Sequence, residues 1–509
     1  MIGIPGPVAF YRLVVELTTY WTQIQAHYRK SKISLSQPKL KPADRAVQLT
    51  QFNALDDIRV LKSSGYRYAL VTDISRYFPT IYTHVIPWAI HGKDEAKKNR
   101  KQSARHYGNI LDNRSMGLQS WQTIGIPIGP DTSHVIAELI GTAIDVDLKA
   151  ELGFWPAGYR YVDDYYLFFE TRGDAERALA YLSRIMSNYE LQINADKTRI
   201  VEVTELVKKS WKHTVRKMGI KEGIRKQRGD IHRFFEQLFE LEHRFEDESL
   251  VKYGLKVLST QIVKRPNWDL MEAYLLKCGH AFPNTLQVIV RIFETYDRHG
   301  YSIDRKAVAR FCNTAIKQHS VSDGHSEIAW TLWLALKLDL VIDKEAVGSV
   351  QATSSSVCLI LLLHLQHRKL TRLKLANSFL KQFANNSALK SENWLLSYEG
   401  GRRRWLGNKD TKFIEDDDYF GPLFSNGVHF YVETVPVSPL FELKEDLPPT
   451  IEVESLWDSD SDIDKYFDFD EEAPDYSDIG PKLDPEVLIE DFDVVDDEED
   501  IEIDDWDFL

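Results

Sequence analysis

The amino-acid sequence predicts an α+β domain, then an all-α domain, then a disordered acidic tail, and three observations carry that prediction. Between Arg67 and about Val203, strand-like runs alternate with helix-like runs. Between Ile231 and about Gln382 the apolar residues recur with the 3.6-residue period of helices, and strand signals are scarce. Residues 442–509 hold 29 Asp and Glu against three Lys, a net charge of −26 typical of chains that form no core. The expected boundaries are 1–205 for the α+β domain, 206–230 for a basic connector, 231–441 for a helical domain with a closing cap, and 442–509 for the tail.

A chain of 509 residues with 43% apolar content is expected to form two or three cores. Its net charge of −14 hides an uneven distribution, because residues 1–441 hold 60 Lys and Arg against 48 Asp and Glu, a net of +12. A basic body implies polyanionic partners. Cys278, Cys312 and Cys358 lie far apart, which excludes a sequence-local zinc knuckle and a disulfide framework and points to a reducing cytoplasm. The first residues lack a basic segment followed by a long apolar run, and the longest strongly apolar stretch, Val357 to Leu363, is far short of a membrane span. A soluble, intracellular protein with no membrane partner is expected.

Taken in order, residues 1–66 are mixed, and Tyr68 to Asp73 reads as a strand with Ala69, Val71 and Asp73 on one face. Val135 to Leu148 reads as a helix with Ile136, Leu139, Ile140, Ala143 and Ile144 at buried spacing. Gly158 to Phe169 places two β-rich arms around Asp163–Asp164, the pattern of a tight hairpin. Lys208 to Arg228 follows with nine Lys and Arg and one acid, Glu222. Ile231, Phe234, Leu238, Leu241 and Phe245 then form one helical stripe, Ile328, Leu332, Ala335 and Leu336 another, and Leu359 to Leu370 a third helix. The expected arrangement is a HEAT-like stack, although no clean repeated signature is present.

Asp73 ends an apolar strand, where a carboxylate is costly unless it binds a cation or accepts hydrogen bonds. Capping the next turn is the simpler reading of Asp73 alone. Asp163 and Asp164 are adjacent acids between apolar strands; turn chemistry accounts for many such pairs, but a divalent cation neutralises their repulsion effectively. Together the two segments supply the carboxylates for phosphoryl transfer to a 3′-hydroxyl with two Mg²⁺ ions about 4 Å apart. Mg²⁺ takes two or three carboxylates plus phosphate oxygens and water. Asp73, Asp163 and Asp164 are therefore the candidate catalytic and metal-binding residues, with Mg²⁺, or Mn²⁺ in its place, as cofactor.

At these residues the sequence resembles the reverse transcriptases, whose palm motifs run in the order A, B, C, D. Asp73 to Phe78 is similar to motif A, Gly125-Ile-Pro-Ile-Gly129-Pro-Asp-Thr-Ser133 to motif B, Tyr161-Val-Asp-Asp164 to motif C, and Leu191 to Thr198 to motif D. The resemblance covers roughly residues 50–205 and implies a right-hand polymerase palm and fingers over residues 1–205. It also implies nucleotide-binding roles. Phe78 would be the steric gate that excludes a 2′-hydroxyl, with an ordinary core Phe as the alternative. Pro127 and Gly129 would bring backbone close to the incoming nucleotide and template. Lys197 would reach the triphosphate or pyrophosphate, with a solvated surface Lys as the alternative. Ile128 departs from the family, since many members carry Gln there to contact template or nucleotide. No recognisable RNase H, integrase, endonuclease or maturase domain follows.

Ile126-Pro-Ile-Gly-Pro-Asp-Thr-Ser133, Tyr161 to Phe169 and the large helical region in place of a thumb resemble the prokaryotic abortive-infection and defence-associated reverse transcriptases. That likeness implies antiphage defence in the bacterial cytoplasm. It also implies DNA synthesis from dNTPs that is RNA-directed or template-independent, with RNA or DNA, including a noncoding RNA, as partner. Two alternatives stand beside it: a templated reverse transcriptase of a mobile or housekeeping system, and an inactive palm serving as an RNA-binding scaffold. Lys208, Lys209, Lys212, Arg216 and Lys217 of the connector are candidate phosphate contacts, although charge runs are usually solvated faces. The helical domain could organise a homo-oligomer. His364 and His367 share a helical face without acidic or Cys companions and read as packing residues. The tail, with Trp457 and Trp506 among its acids, reads either as a solubilising segment or as a nucleic-acid mimic for the basic body.

Overall fold

In the computed structural model, residues 3–41, 46–48, 54–206, 211–220, 223–247, 249–407, 410–434 and 439–441 are described. The expected acidic tail lies outside them, as do Lys208 and Lys209. The chain opens with helices α1 (Pro7–Thr19) and α2 (Trp21–Tyr28), a two-stranded ribbon of β1 (Lys39–Leu40) and β2 (Val47–Gln48), and α3 (Ala54–Ser63). Strand β3 (Tyr68–Asp73) leads into the short helices α4 (Tyr77–Thr80), α5 (Val85–His91), α6 (Lys93–Lys98) and α7 (Tyr107–Gly117). The long α8 (Asp131–Leu152) precedes the hairpin β4 (Ala157–Tyr161) and β5 (Asp164–Phe169), then α9 (Arg172–Asn188) and β6 (Arg199–Glu202).

Four strands pair antiparallel in the order β4-β5-β3-β6. Directly opposed residues share a face, so the pleat sorts this sheet into two surfaces. Leu70, Tyr165, Leu167 and Phe169 face the main core and pack against Leu139, Ile140 and Ile144 of α8 and Ala178 and Leu182 of α9. The other surface carries Ala69, Val71 and Phe168 in a much smaller buried cluster. That cluster continues along the pleat to Asp73 and Asp164, which pair with each other. The expected strand Tyr68–Asp73 and the expected hairpin are present, and the expected helix over Val135–Leu148 is the middle of α8.

From Trp211 onward the regular structure among the described residues is helical apart from one isolated bridge, Ile342 to Thr371. Helices α10 (Trp211–Lys217) and α11 (Ile224–Phe245) begin a stack in which helices pack on their next and next-but-one neighbours. Ile231, Phe234 and Leu238 are buried in its core, with Leu241 and Phe245 packed at its edge. Ile328, Leu332, Ala335 and Leu336 are buried in the same core. An α+β domain followed by a helical domain is thus the observed fold class. The N-terminal segment joins the two: the Trp394 indole donates to Ile4 O at 3.4 Å and Arg12 donates to the Tyr419 hydroxyl at 2.7 Å. No helix among the described residues is long and apolar enough to cross a membrane.

Candidate active site

Two strand ends and one turn bring the three acids together. Asp73 closes β3 and stands directly opposite Asp164 at the start of β5. Tyr161 and Asp164 close the hairpin, leaving Val162 and Asp163 as its two loop residues. Val162 has a φ of 55°, in the left-handed region that favours glycine, whereas Asp163 has no positive φ. A β-branched residue there stores about 1–3 kcal/mol of strain. The turn is joined to β3 by the Ile74 amide, which donates to Asp163 O at 3.2 Å.

The electrostatics of this corner are unfavourable as it stands. Burial, then the Asp163 and Asp73 carboxylates, push Asp164 up to about 6. Burial and the charge of Asp73 also raise Asp163. The Lys197 ammonium donates to Asp73 Oδ2 at 2.8 Å, and that hydrogen bond raises its own pKa. Lys197 comes from the segment after α9, which is tied to β3 by the Asn194 amide donating to Asp73 O at 3.0 Å and by a 2.7 Å contact between the Thr72 and Thr198 hydroxyls. Asp73 is only 4% exposed, yet its Oδ1 has no hydrogen-bond partner.

Among the described residues, no three His, Cys, Asp or Glu side chains are already grouped closely enough to grip an ion. The donor chemistry nevertheless fits one. A buried carboxylate oxygen lacks a partner, two further carboxyls are held above the usual range beside it, and the Lys197 cation paired with Asp73 sits on an exposed side chain. Hard oxygen donors of this kind suit Mg²⁺ or Mn²⁺.

The remaining expected residues fall in different places. Phe78 is partly buried, with its ring 5.4 Å from that of His134. Gly129 is exposed with a φ of 120°, directly before Pro130 caps α8. Pro127 is buried beneath Gly3, whose amide donates to Ile128 O at 2.9 Å, so Gly129 is the accessible member of the pair. In the connector, Lys212 lies 5.8 Å from the Tyr253 ring and Arg216 donates to the Tyr253 hydroxyl at 2.6 Å, leaving Lys217 the more exposed cation. His364 stacks on Trp405 and meets the Tyr431 hydroxyl at 2.7 Å, but the Glu433 carboxylate, 3.6 Å from its Nε2, is an acidic companion that the sequence did not show.

Sequence reasoning missed one group. Arg160 is wholly buried with Glu138 and Asp145 behind the hairpin. A charged residue inside an apolar strand, and two acids seven residues apart on the buried side of α8, were the available signals.

A cavity of about 970 Å³ lies away from the acids, between the N-terminal segment, the loop at 117–122 and residues 389–394. Its cations Arg12, Arg114 and Lys390 are already engaged by Tyr419, Glu16 and Asp417.

Residues 7–221 match the family of reverse transcriptases (RNA-dependent DNA polymerases). Among solved structures, telomerase from Candida albicans in complex with a TWJ fragment of telomeric RNA is similar at 15% identity and a TM-score of 0.23, over 56% of this chain and 53% of that one. The chain therefore spans about half the length of that telomerase. No curated protein matches.

Proposed function

We propose that the reverse-transcriptase domain of this chain, of the nucleotidyltransferase class, builds DNA from dNTPs at Asp73, Asp163 and Asp164. The observation that carries this reading is the direct pairing of Asp73 with Asp164 at the hairpin that also bears Asp163. Three acids gathered against their own repulsion, one with an orphaned oxygen, are the electrostatic signature of a site completed by an external cation.

Asp73 and Asp163 would hold divalent ions, with Asp164 as ligand or electrostatic support. When bound, such ions lower the pKa of an attacking 3′-hydroxyl and stabilise charge on the reacting phosphate. The chain's own residues do the rest. Lys197, within reach of Asp73, turns to the triphosphate or pyrophosphate and neutralises or protonates it. Phe78 crowds a 2′-hydroxyl and so favours dNTPs. The exposed, positive-φ Gly129 lets a nucleotide approach backbone at the start of α8.

The biological setting we propose is antiphage defence in the bacterial cytoplasm. Support comes from the motif B and motif C sequences and from the helical domain where a thumb is expected. RNA or DNA, including a noncoding RNA, would be the partner of the basic body. Incubating the full chain with each labelled dNTP and Mg²⁺, then treating the product with protease and nuclease, tests both levels. Incorporation by the wild type and none by Asp163→Ala is the expected result. Product made without added template, or joined to protein, supports the defence setting; extension only of a primed RNA supports a templated housekeeping or mobile-element role. No incorporation under any condition leaves the domain a binding scaffold.

A further inference from the structure

Behind the hairpin lies a buried ionic cage that the proposed chemistry does not use. The Arg160 guanidinium points from β4 to α8: Nε is 3.0 Å from both carboxylate oxygens of Asp145, Nη1 is 3.0 Å from Glu138 Oε2, and Nη2 is 2.8 Å from Glu138 Oε1. Serines from the segment after α2 complete it. Ser31 donates to Asp145 at 2.7 Å, and Ser34 and Ser36 donate to Glu138 at 2.6 and 2.9 Å. The Tyr165 hydroxyl donates to Asp145 at 3.1 Å. Gly141 makes room for the guanidinium, since a Cβ there would lie 2.6 Å from Nη1 and 2.7 Å from Cζ. Alanine is the better helix former, so a glycine inside this 22-residue helix answers to that close approach.

Such a cage could be structural only, because buried ion groups are often replaceable by apolar packing. Its remaining hydrogen bonds argue otherwise. Arg160 Nη1 also donates to Val162 O at 3.0 Å, and Ser36 Oγ accepts from the Val162 amide at 2.8 Å. Both backbone polar groups of the one strained residue in the turn are therefore held by the cage. Val162 directly precedes Asp163, and its φ of 55° sets the direction of the following peptide.

We propose that Arg160 and Ser36 are positioning residues that hold Val162 in its left-handed conformation and thereby set the Asp163 carboxylate for its divalent ion. The inference rests on the metal-dependent polymerase reading above. Glu138 and Asp145 orient the guanidinium. Because both stand on α8, which begins just after Gly129, they also fix the turn relative to the segment expected to meet the nucleotide.

The test is Mn²⁺ binding to the full chain without nucleotide, followed by electron paramagnetic resonance of the free ion, with thermal unfolding measured in parallel. Asp163→Asn sets the scale for a lost ligand. Ser36→Ala and Gly141→Ala are expected to weaken Mn²⁺ binding about 10-fold while keeping the wild-type circular dichroism spectrum. Arg160→Lys is expected to weaken it at least as much if it folds; if it does not, the two milder variants decide. Wild-type Mn²⁺ affinity in Ser36→Ala and Gly141→Ala, beside an impaired Asp163→Asn, overturns the positioning role alone, and a lowered melting temperature with unchanged affinity does the same. Wild-type affinity in Asp163→Asn itself overturns the metal site, and the positioning role with it.

Discussion

Asp417 and Glu399 of the helical half and the acids at the end of β3 are met differently by their surroundings. In the helical half, Asp417 is met by Lys390, Asn386 and the amides of Tyr419 and Phe420, and Glu399 by Arg403 and the amides of Phe430 and Tyr431. Those carboxylates are complete within the fold. At the end of β3, by contrast, Asp73 keeps an unpartnered oxygen and Asp163 and Asp164 are pushed above their ordinary range. The same hairpin holds a β-branched residue at positive φ. An unpartnered carboxylate oxygen, two raised carboxyls and a strained turn residue gathered in one corner mark where an outside cation belongs.

The contrast can be broken most forcefully at the acids. Asp163→Ala or Asp73→Asn should reduce nucleotide incorporation by at least about 10³-fold while the melting temperature stays near wild type. Equal loss of stability and activity would contradict it. The reverse pattern is expected in the helical half. Phe293→Ala, at a side chain fully buried in the helical core, should destabilise by about 3–5 kcal/mol in urea unfolding, with turnover per folded molecule unchanged.

A pH titration sharpens the comparison further. The Asp164 carboxyl has an ordinary value of 3.8 and is held at about 6 in the fold, so it favours the native state only while protonated. That stability is fully present below about pH 4 and lost as pH rises through about 6. Metal-free protein should therefore lose thermal stability through this group as pH rises, and added Mg²⁺ should restore more at pH 7 than at pH 5. Asp164→Asn should flatten the dependence, whereas Asp417→Asn should not. The smallest effect is expected at the connector: Lys217→Ala should lower the salt dependence of nucleic-acid binding by about one unit of log–log slope, visible in filter binding across a salt series.

Much of this was legible in the sequence. The period of two over Tyr68–Asp73 and the hairpin around Asp163–Asp164 located β3, β4 and β5, because a buried sheet enforces register through alternation. The stripes at Ile231–Phe245 and Ile328–Leu336 located two helices of the stack. The Arg160 cage was not legible, since its members come from positions 31–36, 138–145 and 160 and no local pattern announces a contact across that span. Nor did the charge run of the connector reveal that Lys212 and Arg216 would be drawn onto Tyr253. Pro127 looked accessible in its motif and is covered by Gly3, a contact between residues 124 positions apart.

The most direct test of the central claim is the anomalous difference map of crystals soaked in Mn²⁺. A peak about 2 Å from carboxylate oxygens of Asp73 and Asp163, with the Lys197 ammonium displaced from Asp73, is the predicted result. An intact Lys197–Asp73 ion pair and no peak at saturating Mn²⁺ would contradict the account.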